Sequence, residues 1–263
     1  MNNSNNKNNE KKSFSSKEVL ITNAASNFQL VEAYKTLRTN ILFSMPYNKQ
    51  HTCRKILIVS AEAGEGKSTT SVNLAETLSE TDTKVLLIDA DLRKPTINKY
   101  YNIESRKGLS NILSGMNTIE ECIYRKSETE NLYIIPSGLL PPNPSELLSS
   151  KAMIKLLEEV DKDYDYVIID APPVNIVSDG VLLSSMVDGV AFVCAYASST
   201  YPEVAKALSS LKLAKANIIG VILNRVVNKK HKNKRGYNYS YKYRYKNIDA
   251  AGHSADKEKE SDK

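Results

Sequence analysis

The sequence predicts a doubly wound α/β fold: a mostly parallel sheet with helices on both faces. Three observations predict it. Short runs rich in Ile and Val are apolar at consecutive positions, which strands buried on both faces of a parallel sheet require. Helix-length stretches alternate with these runs in strand–helix order. The 263 residues are 41% hydrophobic and 25% charged, enough for one substantial core, and no apolar run reaches the ~18 residues of a membrane-spanning helix.

Residues 1–16 are rich in Asn, Lys and Ser and are expected to be disordered. A helix is expected over about 28–43, where Leu30, Val31, Tyr34, Leu37, Ile41 and Leu42 recur at helical spacing. Buried strands are expected at 56–60, 85–89, 132–136, 166–170, 190–195 and 218–223, with helices at about 67–79, 145–160 and 202–214. One domain over 17–228 is therefore expected, followed by a flexible basic tail over 229–263.

Charge is unevenly placed. Residues 225–246 carry nine Lys or Arg and no acid, whereas 247–263 carry three Lys against five acids. With a total of +6, the first 224 residues sum to +6 − 9 + 2 = −1, so the basic character belongs to the tail. Such a run is a solvated linker, or a contact for nucleic acid or anionic membrane. The polar start MNNSNNKNNEKK has no apolar core of a secretory signal, and Cys53, Cys122 and Cys194 suggest neither a disulfide framework nor a zinc site. A cytosolic compartment is expected.

The strongest chemical signal is KILIVSAEAGEGKSTT. A buried strand runs into Ala61, Glu62, Ala63, Gly64, Glu65, Gly66, Lys67 and Ser68, with Thr69 in the helix that follows. This is the phosphate-binding pattern G-x-x-x-x-G-K-[ST] with Ala61 at the first Gly, and it makes the expected fold that of a P-loop NTPase. Gly64 and Gly66 let the backbone curl so that amides point at phosphate oxygens, and the helix N-terminus adds positive potential. Lys67 neutralises β/γ-phosphates, and the Ser68 hydroxyl suits Mg²⁺. Lys67 is expected to be exposed to the phosphates, with no part in the core. The plain alternative is a Gly-rich turn.

Two further strands end in acids. Asp89 and Asp91 close VLLIDADLR, their i, i+2 spacing placing both carboxylates on one side of an extended segment. Together they can hold Mg²⁺ and accept a proton, or simply open a solvent loop. Asp170 closes YVIID before Pro172-Pro173 and reads as the Mg²⁺-linked acid of P-loop enzymes, or as a turn acid.

Together the segments AEAGEGKS (61–68), LLIDADLR (86–93) and VIID (167–170) resemble the Walker A loop, D-x-D-x-R motif and Walker B strand of the bacterial tyrosine kinases of capsule and exopolysaccharide operons. KGLSNIL (107–113), SGLLPPNPSELL (137–148) and DAPPVNIVSDG (170–180) also look like that family's segments, so the resemblance covers roughly 28–228. It implies an ATP- and Mg²⁺-dependent protein-tyrosine kinase, with Asp89 as the base, Asp91 supporting it, and Ser68, Asp89 and Asp170 about the metal. Asn224 and Arg225, by analogy with fold relatives, would border the adenine. Tyr237, Tyr239, Tyr241, Tyr243 and Tyr245 match the C-terminal cluster that the family autophosphorylates; alone, they would equally read as a sticky or nucleic-acid-binding tail. Glu32, Lys35 and Arg38 resemble the family's E-x-x-R-x-x-R oligomerisation motif, with Lys in the middle, or else a surface i, i+3 charge pattern. The implied partners are a separately encoded membrane adaptor that recruits the cytoplasmic kinase to the inner face of the membrane, further copies in a ring, a protein-tyrosine phosphatase, and protein substrates of polysaccharide synthesis, with no nucleic acid. Two other classes stay open: a partition-type ATPase binding DNA or membrane through its tail, and a nucleotide-switched regulatory protein of polymer export. Septum-positioning and partition ATPases carry a signature Lys where this chain has Glu62, which argues against the first.

Overall fold

The computed structural model describes residues 28–45, 53–104, 106–127 and 131–226. The Asn-rich start, the tail and its five tyrosines lie outside the described residues.

Among the described residues, seven strands form one sheet in the order β3-β4-β2-β5-β1-β6-β7. Five come from the Ile/Val-rich runs at the centre of the chain: β1 (Arg54–Ser60), β2 (Val85–Asp89), β4 (Leu132–Ile135), β5 (Tyr166–Asp170) and β6 (Gly189–Ala195). Their pairings with one another are all parallel, and alternate side chains go to opposite faces. Leu57, Val59, Leu86, Ile88, Val167 and Ile169 point to one core, closed by α6 (Lys151–Val160), α7 (Asp179–Ser184) and α8 (Tyr201–Leu213). Ile56, Ile58, Leu87, Ile168 and Val193 point to the other, closed by α1 (Phe28–Ser44) and α2 (Lys67–Ser79). Two cores back to back explain why these strands are apolar at every position.

The structure departs from the sequence reading in places. The helix expected over 145–160 is two, α5 (Pro144–Leu148) and α6, divided where Ser150 caps α6 by accepting from the Met153 amide at 3.3 Å. Short elements were not foreseen: α3 (Ile97–Tyr101), α4 (Leu109–Leu113), α7, and β3 (Tyr124–Arg125), which runs antiparallel to β4. β7 (Ile218–Asn224) is an edge strand whose Val221 and Leu223 are exposed, so it is not buried on both faces. Among the described residues, no helix is long and apolar enough to cross a membrane.

β5 lies between β2 and β1, so the three strand ends that carry the chemistry are neighbours. Asp89 and Asp170 are register partners across β2 and β5, and Asp170 faces Ile58, two residues before the end of β1. Ligands of open α/β sheets bind at such carboxyl ends.

Candidate active site

The loop from β1 to α2 turns on two left-handed glycines, Gly64 at φ +82° and Gly66 at φ +97°. A side chain on Gly64 would point into open space at the cavity wall, whereas one on Gly66 would stand 2.0 Å from Asn224 Nδ2. The loop is gripped from behind. Asn224 Nδ2 donates to the Glu65 carbonyl at 2.9 Å, and the Arg225 guanidinium donates to the Gly64 carbonyl. Glu62 and Glu65 turn their carboxylates away from the phosphate side. Asn175 donates to Glu62 Oε1 at 3.1 Å, and Glu65 accepts from Ser199 and, at 2.9 Å, from the Glu62 amide. With its amide bonded within the loop, Glu62 has no N–H left for a phosphate.

Lys67 opens α2 but is only 8% exposed, contrary to the expectation that it plays no part in the core. Nζ lies 3.0 Å from Asp91 Oδ2 and 3.6 Å from Asp170 Oδ2. The ammonium is buried because two adjacent strands end in acids that need a counter-charge. Burial works against its charged form, but Asp170 and Asp91 more than offset this and raise its pKa.

The two acids of the D-x-D segment are not equivalent. Asp89 is fully buried; its Oδ1 accepts from the Asp91 amide at 3.2 Å and its Oδ2 from the amides of Thr96 and Ile97 at 3.2 and 3.1 Å, which fixes the start of α3. Burial, then the charge of Asp170, pushes its pKa up to about 7. Asp91, not Asp89, lines the cavity, with Oδ1 accepting from the Lys94 amide at 2.9 Å. Three backbone N–H groups draw the Asp89 carboxylate inward, so of the two acids Asp91 is the one at the cavity wall. Asp170 is also fully buried, and burial raises its pKa against the opposing charge of Lys67. Ser71 donates to its Oδ1 at 3.1 Å, while Oδ2 has no hydrogen-bond partner among the described residues.

Lys67 and Asp91 open onto a cavity of about 410 Å³ whose wall also includes Gly64, Ser68, Arg93 and Tyr100. Thr69 is in the wall too, its hydroxyl 2.8 Å from that of Tyr100. Arg225 borders the cavity; Asn224 instead packs over Gly66. A buried Asp170 oxygen that pairs with Lys67 but accepts no hydrogen bond among the described residues, and a glycine cradle open to the cavity, fit a nucleotide phosphate chain with a hard cation. Among the described residues no three His, Cys, Asp or Glu side chains could hold a metal on their own. Mg²⁺ needs no such set, since it keeps waters and phosphate oxygens.

Arg93, Ser145 and Asp179 form a cluster that sequence reasoning left without a role. Arg93 Nε donates to Asp179 Oδ2 at 2.9 Å and its NH2 to Ser145 Oγ at 2.8 Å, while Ser145 donates to Asp179 Oδ1. Each residue comes from a different family-like segment (86–93, 137–148 and 170–180), so that co-occurrence was the available signal. On α1, Lys35 pairs with Glu32 at 3.1 Å, while Arg38 turns inward to the Thr77 carbonyl at 2.7 Å, near the end of α2.

Residues 53–218 match the family described as an AAA domain. The chain is 40% identical over 200 residues to the tyrosine-protein kinase YwqD of Bacillus subtilis (strain 168), covering 76% of this chain and 83% of that protein. It belongs to the bacterial tyrosine kinase family. A second member, the putative tyrosine-protein kinase CapB of Staphylococcus aureus, is 33% identical over 195 residues, covering 74% of this chain and 84% of CapB. The kinase domain of the Escherichia coli tyrosine kinase ETK superposes with a TM-score of 0.72 at 34% identity, over 81% of this chain and 80% of that one. The septum site-determining protein MinD of Pyrococcus horikoshii OT3, solved with Mg-ADP, is more distant: TM-score 0.58 at 27% identity, over 68% of this chain and 72% of that one. Kinase relatives thus match better than the septum ATPase in both sequence and shape, as the acid at Glu62 suggests.

Proposed function

We propose that this bacterial tyrosine kinase transfers the γ-phosphoryl group of ATP to tyrosine hydroxyls, first of all to Tyr237, Tyr239, Tyr241, Tyr243 and Tyr245 of another copy of itself. The observation that carries this reading is the placement of Lys67 and Asp91 in the wall of one cavity behind a glycine cradle, with Asp170 buried against Lys67. Phosphoryl transfer asks mainly for positioning and charge neutralisation, which this set supplies. The free amides of the 61–69 loop and Lys67 hold the phosphates. Ser68 and Asp170 would hold Mg²⁺, with Asp89 behind them; the ion would supply charge neutralisation for the phosphates. The tyrosine oxygen bonds to the γ-phosphorus, the bond to the β–γ bridging oxygen breaks, and ADP leaves. The tyrosine proton passes to the Asp89/Asp91 pair, Asp91 at the cavity and Asp89 behind it with a pKa near neutrality.

The remaining reading rests on the family. The kinase acts in capsular or extracellular polysaccharide synthesis or export, is held at the membrane by a separately encoded adaptor, assembles in a ring through the Glu32–Lys35–Arg38 face of α1, and is reset by a phosphatase. Purified full-length chain with an adaptor peptide, Mg²⁺ and ATP should yield phosphotyrosine that maps by mass spectrometry to residues 237–245. ATP hydrolysis without phosphotyrosine would reject the kinase reading in favour of an ATPase.

A further inference from the structure

Asp179 has no solvent exposure, and its carboxylate meets the Arg93 guanidinium and the Ser145 hydroxyl. A buried ionised carboxylate is costly once its partner is removed, so the guanidinium is held where it is. Only Nε and NH2 are used to hold it. NH1 makes no hydrogen bond among the described residues, and the side chain remains 40% exposed in the wall of the cavity that holds Lys67, Ser68 and Asp91. The other cations of that wall are placed differently. Lys67 lies between two carboxylates, Arg225 is bonded to the Gly64 carbonyl, and the Lys94 side chain is exposed. Arg93 is thus the guanidinium of the wall that is fixed to a fully buried carboxylate while keeping spare donors. The loop itself supplies no cation besides Lys67, since the Glu62 carboxylate accepts from Asn175.

We propose that Arg93 donates through NH1 to the phosphoryl group in transit from ATP to tyrosine, and that Asp179 and Ser145 are the positioning residues that aim it. The proposal rests on the kinase reading above. Arg93 exchanges no atom: the bond to the tyrosine oxygen forms, the bond to the ADP leaving oxygen breaks, and the guanidinium meets charge that grows on the transferred oxygens. A planar fork suits the task, since one edge can be fixed to a carboxylate while the other faces the substrate.

The test uses full-length protein and the variants Arg93→Ala, Arg93→Lys, Ser145→Ala and Asp179→Asn, with kcat, KM for ATP and acceptor, ADP affinity and thermal midpoint measured for each. Arg93→Ala should lose about 10²–10³ in kcat, as when one transition-state donor is removed, with both KM values and ADP affinity within about twofold. Arg93→Lys should not restore it, because a lysine has no second edge, whereas millimolar guanidinium ion should partly restore Arg93→Ala. Ser145→Ala should show a smaller loss, about tenfold, because Asp179 still holds Nε. If Asp179→Asn fails to fold, the Arg93 and Ser145 variants carry the test. Wild-type kcat in folded Arg93→Ala overturns the proposal. So does a loss expressed only in acceptor KM, which would make Arg93 a docking residue, or a parallel loss of ADP affinity. A wild-type protein without phosphotyrosine activity overturns the kinase reading and this inference together; active wild type with unaffected variants overturns this inference alone.

Discussion

Replacing Lys67 by Met tests whether the phosphate lysine is also the counter-charge of the apo fold. Met keeps the apolar stem and roughly the volume, so what leaves is the ammonium between Asp91 Oδ2 at 3.0 Å and Asp170 Oδ2 at 3.6 Å. Removing one partner of a buried ion pair costs about 3–5 kcal/mol when the remaining charge cannot escape. Here it can escape by binding a proton. Asp89, in the same cluster, already has a pKa pushed up to about 7 by burial and the charge of Asp170, so protonating it near neutral pH costs little. A carboxyl with a raised folded pKa contributes stability that is complete below its unfolded value and lost as pH rises through the folded one. Loss of Lys67 moves that window upward. The destabilisation by Lys67→Met should therefore be about 2–3 kcal/mol at pH 8 and shrink to about 1 kcal/mol at pH 6. Urea unfolding of nucleotide-free protein at the two pH values measures it. An exposed lysine would change stability by less than about 0.5 kcal/mol at either pH, and that result, or an equal loss at both, would refute the counter-charge role.

Gly66→Ala should destabilise the fold by about 2–3 kcal/mol, from a side chain at φ +97° and the displacement of Asn224 from the Glu65 carbonyl; adding Asn224→Ala should recover the steric part in a urea-unfolding double-mutant cycle. Asp91→Asn should lower phosphoryl transfer by about 10²–10⁴ with ADP affinity little changed, as read by single-turnover kinetics and calorimetry. Asp89→Asn turns an amide donor toward backbone donors, so it should also lower the thermal midpoint, a loss that Asp91→Asn should not share to the same extent.

Much of the fold was legible because its signals are local. A strand buried on both faces is apolar at every position, and a phosphate loop needs Gly-Lys-Ser between strand and helix. What stayed hidden depends on strand order and on short elements. Asp89 and Asp170 are far apart in sequence, and only the insertion of β5 between β2 and β1 makes them register partners. That adjacency is what buries Lys67 and separates the roles of Asp89 and Asp91. The Arg93–Asp179 bond spans 86 residues and the Ser145–Asp179 bond 34, distances at which no periodicity speaks. Helices of five or six residues, such as α3, α4 and α7, are too short to show a 3.6-residue pattern, and the break between α5 and α6 is marked only by Ser149-Ser150 in a continuing apolar rhythm.

The direction of autophosphorylation turns on where the tail starts. Arg225 stands in the wall of the chain's own cavity, and Tyr237 follows it by twelve residues, a tether of at most about 40 Å when extended. Length therefore permits a chain to reach its own site, and a short tether would supply millimolar effective concentration. Transfer in trans must instead come from assembly, which presents one copy's tail to its neighbour. Dilution separates the two: the rate per molecule stays constant for cis transfer and falls with concentration for trans transfer. A mixing experiment adds a direct label. Asp91→Asn with an intact tail serves as the inactive chain, since Lys67→Met is expected to weaken the fold. Its partner is active protein with the five tail tyrosines changed to Phe. Phosphotyrosine on the Asp91→Asn chain supports trans transfer; none on it, with a concentration-independent wild-type rate, refutes it. Five phosphates would add roughly −7.5 to −10 charges at neutral pH, which outweighs the nine basic residues of 225–246 or nearly so. Phosphorylated tails should then repel one another and the acidic site, so the assembly should shrink after ATP when sized by light scattering and regrow after phosphatase treatment. An unchanged mass after full phosphorylation would show that the tail's charge does not govern assembly.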